Sequence, residues 1–156
     1  MYLISSCLAG FDCKYNGKNN ANRIFVKMVK QNKAIPFCPE QAGGLSTPRP
    51  PSEIRDGDGI DVICGNAKVI TVDDEDVTEF FIKGAKETLK LVRLYGIDKA
   101  ILKSRSPSCG CLNIYDGSFK GVLRKGIGVT SAYLKQNGVE VFDSDEFLNK
   151  INSKNK

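Results

Sequence analysis

The sequence predicts an α/β domain built on a mostly parallel central sheet. Short apolar runs of strand length alternate with longer segments whose apolar residues recur at helical spacing. The short runs are Tyr2-Leu3-Ile4, Ala34-Ile35-Pro36-Phe37, Lys99-Ala100-Ile101-Leu102 and Val139-Glu140-Val141-Phe142. Three of them lead straight into loops that carry a cysteine: Cys7, Cys38 and Cys109. In open α/β sheets such strand ends converge on the ligand crevice.

Taken in order, Tyr2-Leu3-Ile4 stops at Ser5-Ser6-Cys7 and reads as a buried first strand. Gly10 and Gly17 bracket the loop that follows, and glycine suits the close turns of a binding loop. Residues 23–31 carry Ile24, Phe25, Met28 and Val29 at helical spacing. Ala34-Ile35-Pro36-Phe37 is a second strand that enters its loop at Cys38. Residues 43–59 are rich in Gly, Pro, Ser and charge, and so long a connection reads as functional. Ile60-Asp61-Val62-Ile63-Cys64 and Lys68-Val69-Ile70-Thr71-Val72 flank Gly65-Asn66-Ala67 and read as a hairpin, with Cys64 buried in its first strand. Asp76 reads as the cap of a long helix, with Glu79 completing a capping box. Val77, Phe81, Ala85, Leu89 and Val92 form that helix's apolar stripe, and Gly96 ends it. Asn113-Ile114-Tyr115-Asp116-Gly117 reads as a short strand and turn, residues 127–137 as a helix stopped by Gly138, and Ser144 as the cap of a terminal helix over residues 146–151. No repeat or internal boundary appears. One domain with a Rossmann-like core is expected over residues 1–149, followed by a flexible, lysine-bearing tail at 150–156.

The 156 residues are 41% hydrophobic and 26% charged, the composition of an ordinary globular domain with a substantial core. No apolar run approaches the roughly 20 residues of a membrane span. Residues 1–10 lack a basic lead and turn polar at Ser5, which does not fit a signal peptide. The expected location is the cytoplasm, where six cysteines serve as ligands, nucleophiles or core residues rather than as disulfides. The net charge of +5 is mild and its lysines are scattered, with no helix-turn-helix or aromatic RNA-binding signature. A nucleic-acid partner is therefore not expected. The chain contains no histidine, which removes the usual imidazole ligand and general base.

Three thiols converging on one crevice suggest a metal or metal–sulfur centre at Cys7, Cys38 and Cys109. The alternative, a buried core thiol, suits Cys64 better than these, since each of the three enters a loop. There is no Cys-x-x-Cys pair, so zinc-ribbon and thioredoxin signatures are absent. Neither Cys7 nor Cys109 is followed six residues later by arginine, so the phosphate loop of cysteine phosphatases is missing. Cys13 can be a fourth ligand, a redox partner or a bystander, and Cys111 can pair with Cys109 on one metal. Glu40, two residues past Cys38, can move protons beside a bound reactant or can close a salt bridge. Ser106 and Ser108, on either side of Pro107, can bond a cluster or substrate atom or can close a local turn. Arg49, Arg55, Lys103 and Arg105 can lower thiol pKa values nearby or can be solvated charges.

These motifs together resemble the domain of unknown function 523 family, whose characterised members are thiouracil desulfidases. The resemblance runs over nearly the whole chain. It rests on Ser6-Cys7-Leu8-Ala9-Gly10 with Tyr15-Asn16-Gly17, on Cys38-Pro39-Glu40 with Gly43-Gly44-Leu45, on Pro48-Arg49-Pro50-Pro51-Ser52-Glu53, and on residues 103–110. Asp76-Val77-Thr78, Gly84-Ala85 and Tyr115-Asp116-Gly117 add to it. Asn16 stands where the family usually has aspartate, and Ala9 where a second leucine is frequent. The resemblance implies a [4Fe-4S] cluster held by three cysteines, which map onto Cys7, Cys38 and Cys109, and catalytic roles for Glu40 and Ser106.

The expected function is removal of sulfur from a thiolated pyrimidine such as thiouracil, giving uracil and sulfide. A rival expectation is a non-catalytic metal-binding or sulfur-carrier module, with Cys13 or Cys111 as a fourth ligand. A third, a binding domain for RNA or nucleotide metabolism, has only the mild basicity behind it and no stacking platform.

Overall fold

A computed structural model describes residues 1–154. Its centre is a four-stranded parallel sheet of β1 (Tyr2–Ser5), β2 (Ala34–Phe37), β5 (Lys99–Leu102) and β8 (Glu140–Asp143), in the order β2-β1-β5-β8. The middle strands are buried on both faces, as a parallel sheet flanked by helices requires. Leu3, Ala100 and Leu102 pack with Leu89 and Val92 of α4 (Thr78–Leu94) and Leu134 of α5 (Val129–Gln136). Ile4 and Ile101 point the other way, toward Phe25 of α1 (Arg23–Lys30), with Phe147 of α6 (Ser144–Lys154) packed against them. Pro36 cannot donate a ladder bond and sits on β2, an edge strand.

The segment between β2 and α4 builds a second, smaller layer. It contains α2 (Pro39–Ala42), β3 (Ser52–Arg55), α3 (Gly59–Ile63) and β4 (Lys68–Thr71). β3 and β4 pair antiparallel, Ser52 opposite Thr71, and pack Ile54 and Val69 against Phe81 and Ala85 of α4. A two-stranded ribbon of β6 (Asn113–Tyr115) and β7 (Leu123–Lys125) closes the same side.

The hairpin expected at residues 60–72 does not form. Its first half is α3, and β4 pairs instead with Ser52–Arg55, inside the segment read as loop. The cause is local. Asp58 accepts hydrogen bonds from the backbone of Ile60 and Asp61, and Asp61 Oδ2 accepts from the Asp58 N–H at 2.8 Å, a complete capping box. A five-residue apolar run fits a helical turn as well as a strand, and the cap decides. Cys64 follows that helix and is exposed, not buried.

Smaller differences have similar reasons. An isolated bridge between Ile70 and Asp76 keeps the chain extended, so α4 begins at Thr78, and Asp76 accepts from the Thr78 N–H at 3.0 Å without a reciprocal bond from Glu79 among the described residues. The terminal helix starts at Ser144 and is capped by Asp143, which accepts from the N–H groups of Asp145 and Glu146. Ser144 Oγ is used instead as acceptor for the Ser104 N–H. That helix continues to Lys154, into the segment expected as a tail, of which residues 155 and 156 lie outside the described residues.

Helix α2 meets α4 backbone to backbone. A Cβ on Gly84 would overlap the Pro39 carbonyl oxygen, and one on Gly43 would overlap the Phe80 carbonyl oxygen. Gly84→Ala should thus destabilise the fold by about 1–3 kcal/mol, as overpacking does. The roughly 1 kcal/mol that alanine gains over glycine in a helix does not offset a clash with backbone. Urea unfolding measures the difference, and an unchanged or raised midpoint would show that α2 does not depend on this approach.

Candidate active site

The sheet order places a topological switch point at the centre. The chain leaves β1 for β2 on one side and returns to β5 on the other, so the loops after β1 and β5 part and open a crevice. A pocket of about 660 Å³ lies there. It is lined by all three expected ligand cysteines, Cys7, Cys38 and Cys109, by Glu40 and Ser106, and by Cys13.

Each cysteine is set by a different local device. After β1 a single 3-10 turn, Ser6–Ala9, ends at Gly10, whose φ of 97° no bulky residue adopts easily. Within it the Cys7 carbonyl accepts from the Gly10 N–H at 3.2 Å and the Asn20 N–H at 2.9 Å, and Asn20 Nδ2 faces Cys7 Sγ at 3.7 Å. Cys38 occupies the cap position of α2 with Pro39 as first helical residue, where a missing N–H costs nothing. Cys109 follows a turn closed by Ser106. The Ser106 hydroxyl oxygen accepts from the N–H groups of Ser108 at 3.1 Å and Cys109 at 3.0 Å. Ser131 Oγ then donates to the Cys109 carbonyl at 2.6 Å.

This geometry separates the two serines. Ser108 is buried, shares a 2.8 Å hydrogen bond with Thr130 and does not line the pocket, although its hydroxyl reaches the Cys109 thiol from behind. Ser106 lines the pocket and closes the turn at once. With its oxygen engaged by two N–H groups, it keeps a single proton to donate.

The electrostatics follow from burial and contact. The thiols of Cys38 and Cys7 hydrogen-bond the Cys13 sulfur and push its pKa down, with help from Ser6 and the charge of Arg49. Those same bonds and burial push Cys7 and Cys38 up. Burial pushes Cys109 up to about 11. Burial also raises the Glu40 carboxyl pKa, against the pull of Arg49. Burial lowers Lys103, with the neighbouring Arg105 charge adding to it.

Arg49 binds the parts together. Its side chain is 5% exposed and its Nε donates to Glu40 Oε1 at 3.1 Å. Nη2 donates to the Cys13 carbonyl at 2.9 Å, and Nη1 to the Ser46 carbonyl and the Thr47 hydroxyl. Its backbone N–H donates to the Tyr15 carbonyl at 2.8 Å. The sequence offered Arg49 only as one cation among four. Arg55 is not part of the site and pairs with Asp74 on the surface. Glu53 was legible only as part of a motif. It accepts from the N–H groups of Gly117 and Phe119 and pins the ribbon's loop over the pocket, to which Tyr115 and Phe119 contribute.

Cys111 does not reach this pocket. It lies on a smaller cavity of about 240 Å³ beside β8 and α6. Among the described residues no group of three His, Cys, Asp or Glu side chains closes on a single ion. Thiols carried on three separate loops around one cavity suit a wider, soft, sulfur-loving group instead.

A cysteine-lined pocket at the switch point of a small parallel α/β sheet, with a buried carboxyl beside it, defines the class of protein. The chain belongs to the 2-thiouracil desulfurase family, whose model matches residues 2–146. It is 48% identical over 151 residues to YbbK, an uncharacterized protein of Bacillus subtilis (strain 168), covering 97% of this chain and 99% of the relative. Its fold matches the solved structure of the [4Fe-4S]-dependent thiouracil desulfidase TudS with a TM-score of 0.83 and 39% identity, over 95% of this chain and 93% of that one.

Removing Arg49 leaves a largely buried carboxyl and a buried carbonyl without their partner. Arg49→Ala should cost roughly 3 kcal/mol, the low end for a broken buried pair because Glu40 keeps some solvent contact. Arg49→Lys should recover only part, since an ammonium cannot reproduce the fork. Guanidinium unfolding of both variants checks this, and a loss under 0.5 kcal/mol (about the scatter of a neutral surface change) would remove Arg49 from its place as hub.

Proposed function

We propose that this protein is a [4Fe-4S]-dependent desulfidase that removes sulfur from a thiolated pyrimidine such as thiouracil. The observation that carries the reading is the meeting of Cys7, Cys38 and Cys109, from three separate strand ends, on one pocket that also holds Glu40 and Ser106. Family membership and the likeness to TudS support it.

In this reading Cys7, Cys38 and Cys109 hold the cluster. Three protein ligands leave one position free, as in catalytic rather than structural metal sites. When bound, the cluster supplies a soft iron able to accept a thiocarbonyl sulfur. The reaction adds the oxygen of water to the ring carbon and breaks its bond to sulfur. Thiouracil and water become uracil and hydrogen sulfide, with no electron gained or lost. Glu40 handles protons, taking one from the attacking water and returning one to the ring or the departing sulfur. Its buried position beside Arg49 suits a group that must hold and release a proton. Ser106 donates its one remaining proton to orient the substrate.

A pocket lined by Tyr115, Phe119 and Pro51 supplies apolar and aromatic surface for a flat ring. We read the substrate as a small molecule rather than a nucleic acid, residues 1–149 as one desulfidase domain, and the compartment as the cytoplasm. No helix among the described residues is long and apolar enough to cross a membrane.

The second reading, a non-catalytic four-thiol module, draws on the presence of Cys13 in the same pocket. Anaerobic purification with iron and sulfide quantified, followed by a thiouracil turnover assay, separates the two. Glu40→Gln should keep the iron content and the visible absorption while kcat falls by about 10²–10⁴, the usual contribution of an acid–base group. Cys109→Ala should lose the cluster itself. Full activity in Glu40→Gln would move the proton role to another group, and a loaded cluster without turnover would favour the non-catalytic module.

A further inference from the structure

The pocket holds one thiol more than the proposed ligand set uses. Cys13 is 4% exposed and lines the same cavity as Cys7, Cys38 and Cys109. Its sulfur lies 3.2 Å from Ser6 Oγ, and the Cys38 thiol donates to the Cys13 carbonyl at 3.9 Å. Its backbone is anchored on both sides. The Cys13 N–H donates to the Phe11 carbonyl at 2.8 Å, and its carbonyl takes the Arg49 Nη2 at 2.9 Å. A residue that merely filled the core beside Leu8 and Phe25 would need no hydroxyl at its side chain and no place on a cavity shared with three other cysteines. An alanine or valine would serve there.

We propose that Cys13 is a displaceable fourth thiolate, one that closes the cluster's remaining iron when the pocket is empty and yields that position to the sulfur of the substrate. The proposal rests on the desulfidase reading and deepens it. The exchange replaces one iron–sulfur bond by another, and no electron moves. The released Cys13 sulfur leaves as a thiolate, with the Ser6 hydroxyl placed to donate to it. Because the backbone is pinned by Phe11 and Arg49, the sulfur can swing by rotation about χ1 alone. Such a ligand would shield the one iron that three cysteines leave open, and it would compete with the substrate for it.

The test uses the whole chain, loaded anaerobically, as the unsubstituted protein and as Cys13→Ala and Cys13→Ser. Each is treated briefly with ferricyanide in the absence of substrate, and iron content and the electron paramagnetic resonance spectrum are recorded. The unsubstituted chain should keep its iron, whereas both variants should lose one iron in four and develop the signal of a three-iron cluster. A second measurement needs no variant. Thiouracil added to the loaded protein should speed alkylation of Cys13 by iodoacetamide, read by peptide mass spectrometry. Equal iron loss in all three proteins, or alkylation at one rate with and without thiouracil, overturns the proposal while leaving the desulfidase reading intact. An unsubstituted chain that takes up no four-iron cluster overturns both.

Discussion

The guanidinium of Arg49 is the contact on which the rest of the pocket depends. Three of its nitrogens and its own backbone N–H tie three segments together: the distant loop after β1, through Cys13 and Tyr15, the helix after β2, through Glu40, and its own turn at Ser46 and Thr47. A buried cation is tolerable only when its donors are satisfied, and here they are. The geometry also explains why arginine stands there. A planar fork can hold a carboxylate, a hydroxyl and two carbonyls at fixed angles, which a lysine cannot.

The glycines complete what Arg49 begins. Gly84 and Gly43 let α2 lie directly on α4, which fixes the height of Cys38 and Glu40 above the sheet. Gly128 does the same for the third loop, since a Cβ there would press on the Ser108 carbonyl oxygen at 2.5 Å. Loops that bear chemistry are ordinarily the mobile parts of a fold. In this protein they are clamped by backbone-to-backbone contacts and by the Ser131 and Ser106 hydroxyls around Cys109.

The parallel sheet was legible because each of its strands is a short apolar run bounded by polar or glycine-bearing residues, and because the intervening periodicity is helical. The gathering of Cys7, Cys38 and Cys109 followed from their places just past those strands. What stayed hidden depends on contacts between distant residues. Nothing local to Ser52–Arg55 marks it as a strand until β4 lies beside it. Nothing in Arg49 itself distinguishes a hub from a surface charge. Residues 60–64 misled because a five-residue apolar run carries no period, and the Asp58–Asp61 reciprocal cap outweighs it. The difference between Ser106 and Ser108 is one of direction, which two residues of separation on an irregular turn cannot reveal.

Cys64 has a practical side. It is exposed at the end of α3, while the pocket thiols are buried or half-buried inside the fold. On any chain stored in air it is the sulfur best placed to join a neighbouring molecule covalently, so a covalent dimer on a non-reducing gel would report the outer surface and carry no information about the interior. The same accessibility makes it an anchoring point. A fluorescent or spin label attached at Cys64 would sit outside the pocket, and could follow the protein through loading and release without occupying the cavity it is meant to observe.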